Sequence, residues 1–456
     1  MAQCNLTVGA IDANVDAILE SWHRASAAGA DLVVFSELAI TGYLPDDLLL
    51  SPEFLRAATA AWQRLCAEGP TDTTAVVGGV GVTADDPELE RWDVAREAQD
   101  LRNRAAVIRG GAIVATYDKW RLPNFGVFDE ARYFVSGDDV VVADVAGVAV
   151  GITICEDLWT TGGALAAAGA AGAEVIVNLN ASPFHAGKRA RREHWVRHHA
   201  GATGAAVLYV NQVGGQDDVV FDGDSIAIAP DGTVLARGAQ HESDLVIFDL
   251  DLAAPVPDAS AARGAAPDPV GEVYEALVLG TRDYLAKNGF TTAVLGLSGG
   301  IDSALVCAIA TDALGADNVT AVAMPSPWSS DHSLADAKSL AENLGCRYLT
   351  VPIEPAMVAF DAMLADEFAG TESGVAEENL QSRIRGTLLM AMSNKFGHLL
   401  LTTGNKSEYA VGYATLYGDM AGGYAPIKDV PKMLVWELCR WRNATTTRPG
   451  AVIPRS

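Results

Sequence analysis

The sequence predicts an α/β protein of two layered domains, the second of them a doubly wound parallel sheet. Three observations carry that expectation. The first half holds many short apolar runs separated by alanine-rich stretches of helical period, a mixture that argues for packed sheets and helices rather than a bundle. Residues Leu252–Val270 are built almost wholly from Ala, Pro, Asp and Gly and read as an extended linker. Beyond them, apolar strands and helical segments alternate, the order of a parallel sheet whose ligands lie past the strand C-termini. The expected organisation is a domain over 1–250, a linker over 251–270 and a second domain over 271–456.

Composition narrows the function classes. The chain has 456 residues, half of them hydrophobic and a fifth charged, which suits two or three folded cores. A formal net charge of −26 opposes a nucleic-acid partner, since the phosphate backbone would be repelled. No apolar run approaches the roughly 18 residues that cross a bilayer, and no basic segment precedes an apolar one at the start, so no membrane association is expected. The six cysteines (4, 66, 155, 307, 346 and 439) are scattered without a CxxC pair. That spacing suggests neither zinc nor a disulfide framework, and places the chain in a reducing cytoplasm.

In chain order, Ile11–Ala28 has helical period and leads into the continuous apolar strand Asp31–Phe35, which ends at Ser36-Glu37. Further strands are expected at Ala75–Val80, Ala105–Ile108, Ala112–Thr116, Val140–Val145, Val148–Ile154, Glu174–Asn178, Val207–Val210, Ser225–Ala229 and Leu245–Leu250, with a hairpin turn at Pro230-Asp231-Gly232. Three residues sit at strand ends: Glu37, Lys119 and Cys155, the last at a sharp Cys-Glu-Asp turn. A cysteine so placed is exposed and has its pKa lowered by a nearby ammonium. A carboxylate to carry its proton completes nucleophile, base and electrostatic stabiliser. Each residue also has a bland reading, as a small buried hydrophobe, a cap or a solvated lysine. His194 and His198 have i,i+4 spacing, but no third ligand accompanies them; with His185 and His199 they read as ordinary histidines.

After the linker come a helix over Glu272–Asn288, a strand near Val294, and the stretch Leu295–Val306 (LGLSGGIDSALV). Strand, tight glycine turn and helix together point backbone N–H groups and a helix N-terminus at one spot, a place for phosphate. The loop lacks both the Walker A ending and the dinucleotide spacing. Asp302 is out of place beside an anion unless a metal lies between them. Strands at Val319–Ala323, Arg347–Val351 and Leu399–Thr402 alternate with helices over Ser333–Leu344, Leu380–Phe396 and Lys432–Arg442. Thr403 and Glu408 follow the last strand and so lie at the same sheet edge as Ser298. Asp302 and Glu408 suit a shared Mg²⁺ on ATP phosphates. Arg383 and Arg385 read either as site residues or as a helix face paired with Glu377 and Glu378.

Resemblance sharpens these readings. Phe35-Ser-Glu-Leu-Ala-Ile-Thr-Gly-Tyr43, Tyr117-Asp-Lys-Trp-Arg-Leu-Pro-Asn124 and Gly151-Ile-Thr-Ile-Cys-Glu-Asp-Leu-Trp159 resemble, in order, the three signatures of the nitrilase (carbon–nitrogen hydrolase) superfamily. That implies an α-β-β-α sandwich with a Glu37–Lys119–Cys155 triad, aided by a backbone N–H near Glu156. Asn180–Lys188 resembles the amide-binding segment of the glutamine-hydrolysing branch, which implies that Ser182 and Lys188 hold glutamine. Phe125 stands where that branch usually has tyrosine. The SGGIDS loop resembles the pyrophosphate loop of N-type ATP pyrophosphatases. With MPSPWSS, EENLQSRIRG, LLTTGNKSEYAVGYATLYGDMAGG and APIKDV, the second half resembles NAD synthetases, and the whole chain the glutamine-dependent NAD⁺ synthetase family. An unrelated ATP pyrophosphatase such as a GMP-synthetase-like enzyme is disfavoured by the nitrilase-like front half.

The resemblance implies ATP contacts from Gly296, Leu297, Ser298, Gly299, Gly300, Ile301, Asp302, Ser303 and Thr403. It implies deamido-NAD⁺ contacts from Asn379 and Glu408, and magnesium on Asp302 and Glu408. The implied substrates are L-glutamine, ATP and deamido-NAD⁺; the implied assembly is a homo-oligomer, with ammonia passed internally. Members of the family are expected to continue well beyond Ser456 and to begin before Met1. The second domain is therefore expected to be incomplete, and an amidase with a non-functional synthetase half is the alternative reading.

Overall fold

The computed structural model describes residues 1–82, 101–253, 256–264, 268–446 and 451–454. Parts of the expected linker, and the last two residues, lie outside the described residues. The chain forms two compact units, Met1–Ala266 and Pro267–Ser456.

In the first unit β1 (Ala2–Gln3) leads to α1 (Ile11–Ala27), β2 (Leu32–Val34), α2 (Pro52–Glu68), β3 (Thr74–Val82), β4 (Leu101–Arg109) and β5 (Ala112–Asp118). β2–β5 make one sheet in sequential order. Next come β6 (Val142–Val145), β7 (Val148–Ile154), α3 (Gly163–Ala170), β8 (Val175–Asn180), α4 (Lys188–Thr203) and β9 (Ala206–Asn211). The unit closes with β10 (Val213–Gln216), β11 (Val219–Asp222), β12 (Ile226–Ile228), β13 (Val234–Arg237) and β14 (Asp244–Leu245). A second sheet has the order β13-β12-β9-β8-β7-β6, while β10 pairs with β11 and β1 with β14.

Strand alternation sorts side chains into layers. Val76 of β3 and Val107 of β4 meet Ile152, Ile154, Val177 and Leu179 of β7 and β8 in a core between the two sheets. Ala75, Val77, Ala106 and Ile108 point the other way, onto Val15, Trp22 and Leu65 of α1 and α2. Ile176, Val207 and Ile226 face Leu165, Val196 and Ala200 of α3 and α4. The result is the α-β-β-α sandwich. The expected strand at Leu245–Leu250 is much shorter: Asp244 and Leu245 pair with β1, and Val246 exchanges backbone hydrogen bonds with Met1 at 2.9 and 3.0 Å. The Pro230–Gly232 turn does join β12 to β13, with Ala229 N–H donating to the Thr233 carbonyl at 2.9 Å.

In the second unit α5 (Pro269–Lys287) precedes β15 (Ala293–Gly296), α6 (Ile301–Leu314), β16 (Val319–Ala323), α7 (Asp331–Leu344) and β17 (Arg347–Thr350). Then follow α8 (Glu354–Leu364), α9 (Val375–Phe396), β18 (Leu399–Leu401), α10 (Lys406–Val411) and α11 (Lys432–Thr445). Several helices begin earlier than their apolar period suggests, because caps extend them. Asp268 accepts from Val270 and Gly271 N–H ahead of Pro269, Ser330 caps α7, and Glu377 accepts from Gly374 N–H at 2.7 Å. The four strands are all parallel, in the order β17-β16-β15-β18. Strand order reverses at β15, so the crevice between the ends of β15 and β18 is the topological switch point where such sheets bind ligands.

Candidate active sites

Glu37, Lys119 and Cys155 come from three strand ends: after β2, after β5 and after β7. Lys119 is fully buried, and its Nζ donates to Glu37 Oε1 at 2.6 Å. It also donates to a second carboxylate that sequence reasoning missed, Glu130, at 2.8 and 2.9 Å. Asn103 of β4 donates to Glu37 Oε1 at 2.7 Å and to Glu130 Oε2 at 3.3 Å, and Tyr43 donates to Glu130 Oε1 at 2.6 Å. Burial works against the Lys119 cation, but Glu130 and Glu37 outweigh it and hold its pKa well above the ordinary value. Burial raises Glu130, despite Lys119 beside it. Glu130 opens a three-residue 3-10 turn, Glu130–Arg132, too short to show a period, so no sequence signal marked it.

Cys155 departs from expectation. It is buried, at 3 % exposure. Burial and then the charge of Glu37 push its thiol well above the usual range, against the pull of Lys119. Burial thus favours the thiol over the thiolate, and the ammonium expected to lower its pKa is shared with two carboxylates. Its backbone φ is +40°, a left-handed conformation that costs a non-glycine residue on the order of 1–3 kcal/mol and must be imposed by its surroundings. Asp157 supplies that hold. It is fully buried and accepts from Ile154 N–H at 3.0 Å, Arg121 N–H at 3.0 Å and the Tyr117 hydroxyl at 2.7 Å. One carboxylate thus joins the turn carrying Cys155 to the segment carrying Lys119.

The surrounding residues fall into place unevenly. Ser182 follows β8 and is buried, its N–H donating to Asn211 Oδ1 at 3.0 Å. Glu156 has its carboxyl raised by burial. Lys188, at the start of α4, donates to the Pro183 carbonyl at 2.5 Å and lies 5.4 Å from the Trp159 ring centre. Burial, reinforced by Arg192, lowers its pKa to about 8. Behind it Arg192 bridges Asp222 at 2.6 Å and Asp224 at 2.9 Å. Phe125 is 60 % exposed and contacts Phe128, which reaches Tyr43. His199 serves the fold, its Nε2 lying 2.8 Å from the Leu158 carbonyl.

The second unit has two adjoining cavities at its switch point. One, of about 570 Å³, is lined by Gly296, Leu297, Ser298, Met324, Arg385 and Thr403 among others. The smaller, of about 150 Å³, is lined by Ser298, Gly300, Asp302, Ser303, Thr403 and Glu408 among others. Gly299 has φ +85° and its Cα lies against the Ser333 backbone, where a Cβ would collide, so the turn requires glycine. Ile301 opens α6. Ser303 Oγ fixes the turn, accepting from Ser298 N–H at 3.3 Å and donating to the Gly300 carbonyl at 2.9 Å.

Asp302 has partners that the sequence did not reveal: it pairs with Lys432 and accepts from Asn405 at 3.0 Å. Glu408 caps α10 by accepting from Asn405 N–H at 3.0 Å. Asn379 Oδ1 accepts from Thr415 at 2.9 Å. Arg383 and Arg385 do not pair with Glu377 or Glu378; their Nε atoms donate to the Leu416 and Met324 carbonyls at 3.2 and 3.1 Å.

Fold and sites together define a two-domain enzyme class: a carbon–nitrogen hydrolase joined to an NAD synthase. The family model for carbon-nitrogen hydrolase matches residues 1–255 and that for NAD synthase residues 273–456. Glutamine-dependent NAD(+) synthetase from Rhodobacter capsulatus is 47% identical over 463 residues, covering 100% of this chain and 81% of the relative. The one from Synechocystis is 45% identical over 467 residues, covering 100% and 82%. The structure of glutamine-dependent NAD+ synthetase from Acinetobacter baumannii in complex with ADP matches with a TM-score of 0.91 at 39% identity, covering 100% of this chain and 83% of that one. The chain belongs to the glutamine-dependent NAD(+) synthetase family.

Asp157→Asn keeps the size but loses acceptor capacity beside three buried donors. It is expected to destabilise the fold by about 1–3 kcal/mol and to slow iodoacetamide alkylation of Cys155. Tyr117→Phe is expected to do less of both, read by thermal unfolding and by mass spectrometry of the labelled peptide.

Proposed function

We propose that this chain amidates deamido-NAD⁺ to NAD⁺, using ATP and ammonia released from L-glutamine. The observation that carries the reading is the co-occurrence of the buried Glu37–Lys119–Cys155 constellation with the glycine loop and cavities at a parallel-sheet switch point. In the first unit the Cys155 sulfur attacks the side-chain amide carbon as Glu37 takes the thiol proton. Lys119 and a backbone N–H near Glu156 stabilise the oxyanion, while Glu130 keeps Lys119 charged and aimed. The C–N bond breaks, Glu37 returns its proton to the leaving ammonia, and water then hydrolyses the γ-glutamyl thioester. Ser182, Lys188, Glu156 and the Phe125 ring hold the rest of glutamine.

In the second unit the nicotinate carboxylate attacks the α-phosphorus of ATP and pyrophosphate leaves onto Gly296–Ser303, with Thr403 opposite. Ammonia attacks the resulting acyl adenylate and AMP departs, giving the carboxamide; Asn379 and Glu408 orient the dinucleotide. Two carboxylates on one phosphate-sized cavity suit magnesium, which takes few protein ligands and completes its shell with phosphate oxygens. Asp302 and Glu408 would hold it, and it would neutralise triphosphate charge.

Exposed apolar side chains on the second unit, among them Met363, Val375, Phe396, Val411 and Tyr413, support self-association as a homo-oligomer. None of the described helices is long and apolar enough to cross a membrane. Six free cysteines support a reducing cytoplasm. The amidase-only reading is not favoured, because the family model for NAD synthase matches the second unit and its loop and cavities are formed.

With deamido-NAD⁺, ATP and Mg²⁺, the wild type is expected to make NAD⁺ from either glutamine or ammonium. Cys155→Ala should lose only the glutamine-driven reaction; loss of both would sink the two-site scheme, and glutamate release without NAD⁺ from either donor would favour the amidase. Lys188 is a cation below pH about 8 and neutral above it. The efficiency of glutamine hydrolysis (kcat/KM) should therefore fall as pH rises through about 8, mainly through a rise in KM with kcat little changed. Lys188→Arg stays charged and should move that fall to higher pH; an unchanged profile would remove Lys188 from glutamine binding.

A further inference from the structure

Helix α9 turns Ser382, Arg385, Gly386 and Leu389 toward the larger cavity of the second unit, an i, i+3, i+4, i+7 face. Three of these are neutral. Arg385 is half-buried, and its Nε is spent on the Met324 carbonyl. Among the described residues it forms no ion pair. By contrast, Arg104, Arg192, Arg237 and Arg442, whose side chains are also largely buried, pair with carboxylates. Burial lowers the Arg385 pKa with no neighbouring charge to offset it. Asp419, the carboxylate lining the same cavity, accepts from Thr415 N–H at 2.6 Å. A partly desolvated guanidinium without a counter-charge is costly unless an anion completes it. Its remaining N–H groups form the planar fork that suits phosphate.

The anion follows from what the other groups already take. On the function proposed above, on which this inference rests, the glycine loop with Asp302 and Glu408 serves the departing pyrophosphate from the smaller cavity. The charge left on the nucleotide is that of its α-phosphate. We infer that Arg385 binds the α-phosphate of ATP, and after acyl transfer the phosphate of AMP. Arg383, on the exposed neighbouring face and bonded to the Leu416 carbonyl, is outside this role.

The test compares AMP with adenosine, which differ only in the phosphate, by calorimetry on the full chain. Arg385→Gln should weaken AMP binding by roughly tenfold or more, as for loss of a charged hydrogen-bond pair, while adenosine stays within about twofold of wild type. Arg385→Lys should recover part of the loss, and the retained adenosine affinity together with an unchanged thermal unfolding profile reports that the second unit is folded in both variants. AMP affinity within about twofold of wild type in Arg385→Gln would overturn the inference. So would equal weakening of adenosine, since that would put Arg385 on the base or ribose. If the wild type itself bound no adenine nucleotide, the proposed synthetase function would fall first and this inference with it.

Discussion

A buried lysine between two carboxylates constrains the first unit more than any other contact. Lys119 has no solvent to stabilise its charge, so Glu37 and Glu130 must both reach it, and each comes from a different part of the chain. Leaving either partner out would strand a charge in a dry interior, which costs several kcal/mol. The ends of β2 and β5, in one sheet, are therefore tied to each other and to the turn that carries Glu130. The same arrangement explains the state of Cys155. Lys119 has little field left to spare, and burial beside Glu37 keeps the sulfur protonated. On the proposed mechanism the proton moves to Glu37 as the sulfur attacks, and Lys119 is free to meet the oxyanion rather than a resting thiolate.

The second unit solves a different electrostatic problem. Its proposed substrates are strongly anionic, while the chain itself is strongly acidic. Backbone N–H groups of the Ser298–Ser303 turn supply positive potential without positive side chains. Lys432 neutralises Asp302, so the turn is not facing an unpaired carboxylate. Unlike Glu37 and Lys119, these groups sit in open cavities, where a ligand and its metal can rearrange the pairing.

Much of this was legible in the sequence, for reasons that differ from place to place. The parallel strand Ala293–Gly296 and the turn after it were readable because a glycine loop between apolar strand and helix has few other uses. The period of α1 and the continuous apolar runs of β3 and β7 likewise write their burial into the residues. Long-range polar contacts are not written that way. Glu130 lies in a 3-10 turn too short to show a period, and its meaning comes only from Lys119 folding onto it. Asp157 looked like part of a motif, and its role depends on Tyr117 and Arg121 approaching from another strand. The exposure and low pKa expected of Cys155 failed because the turn is buried in the core between the sheets, and the ammonium beside it is shared with Glu37 and Glu130. Helix starts were missed by a few residues where Asp268, Ser330 and Glu377 caps extend the helices past their apolar period.

The claim on which the rest turns is that Cys155 rests as a thiol because it is buried beside Glu37 while Lys119 is held between two carboxylates. The thiolate ultraviolet absorbance of wild type minus Cys155→Ala, followed across pH, measures this directly. The account predicts no thiolate signal from Cys155 at neutral pH, and a titration above the ordinary thiol value. A neutral-pH thiolate band that disappears with Cys155→Ala would contradict it.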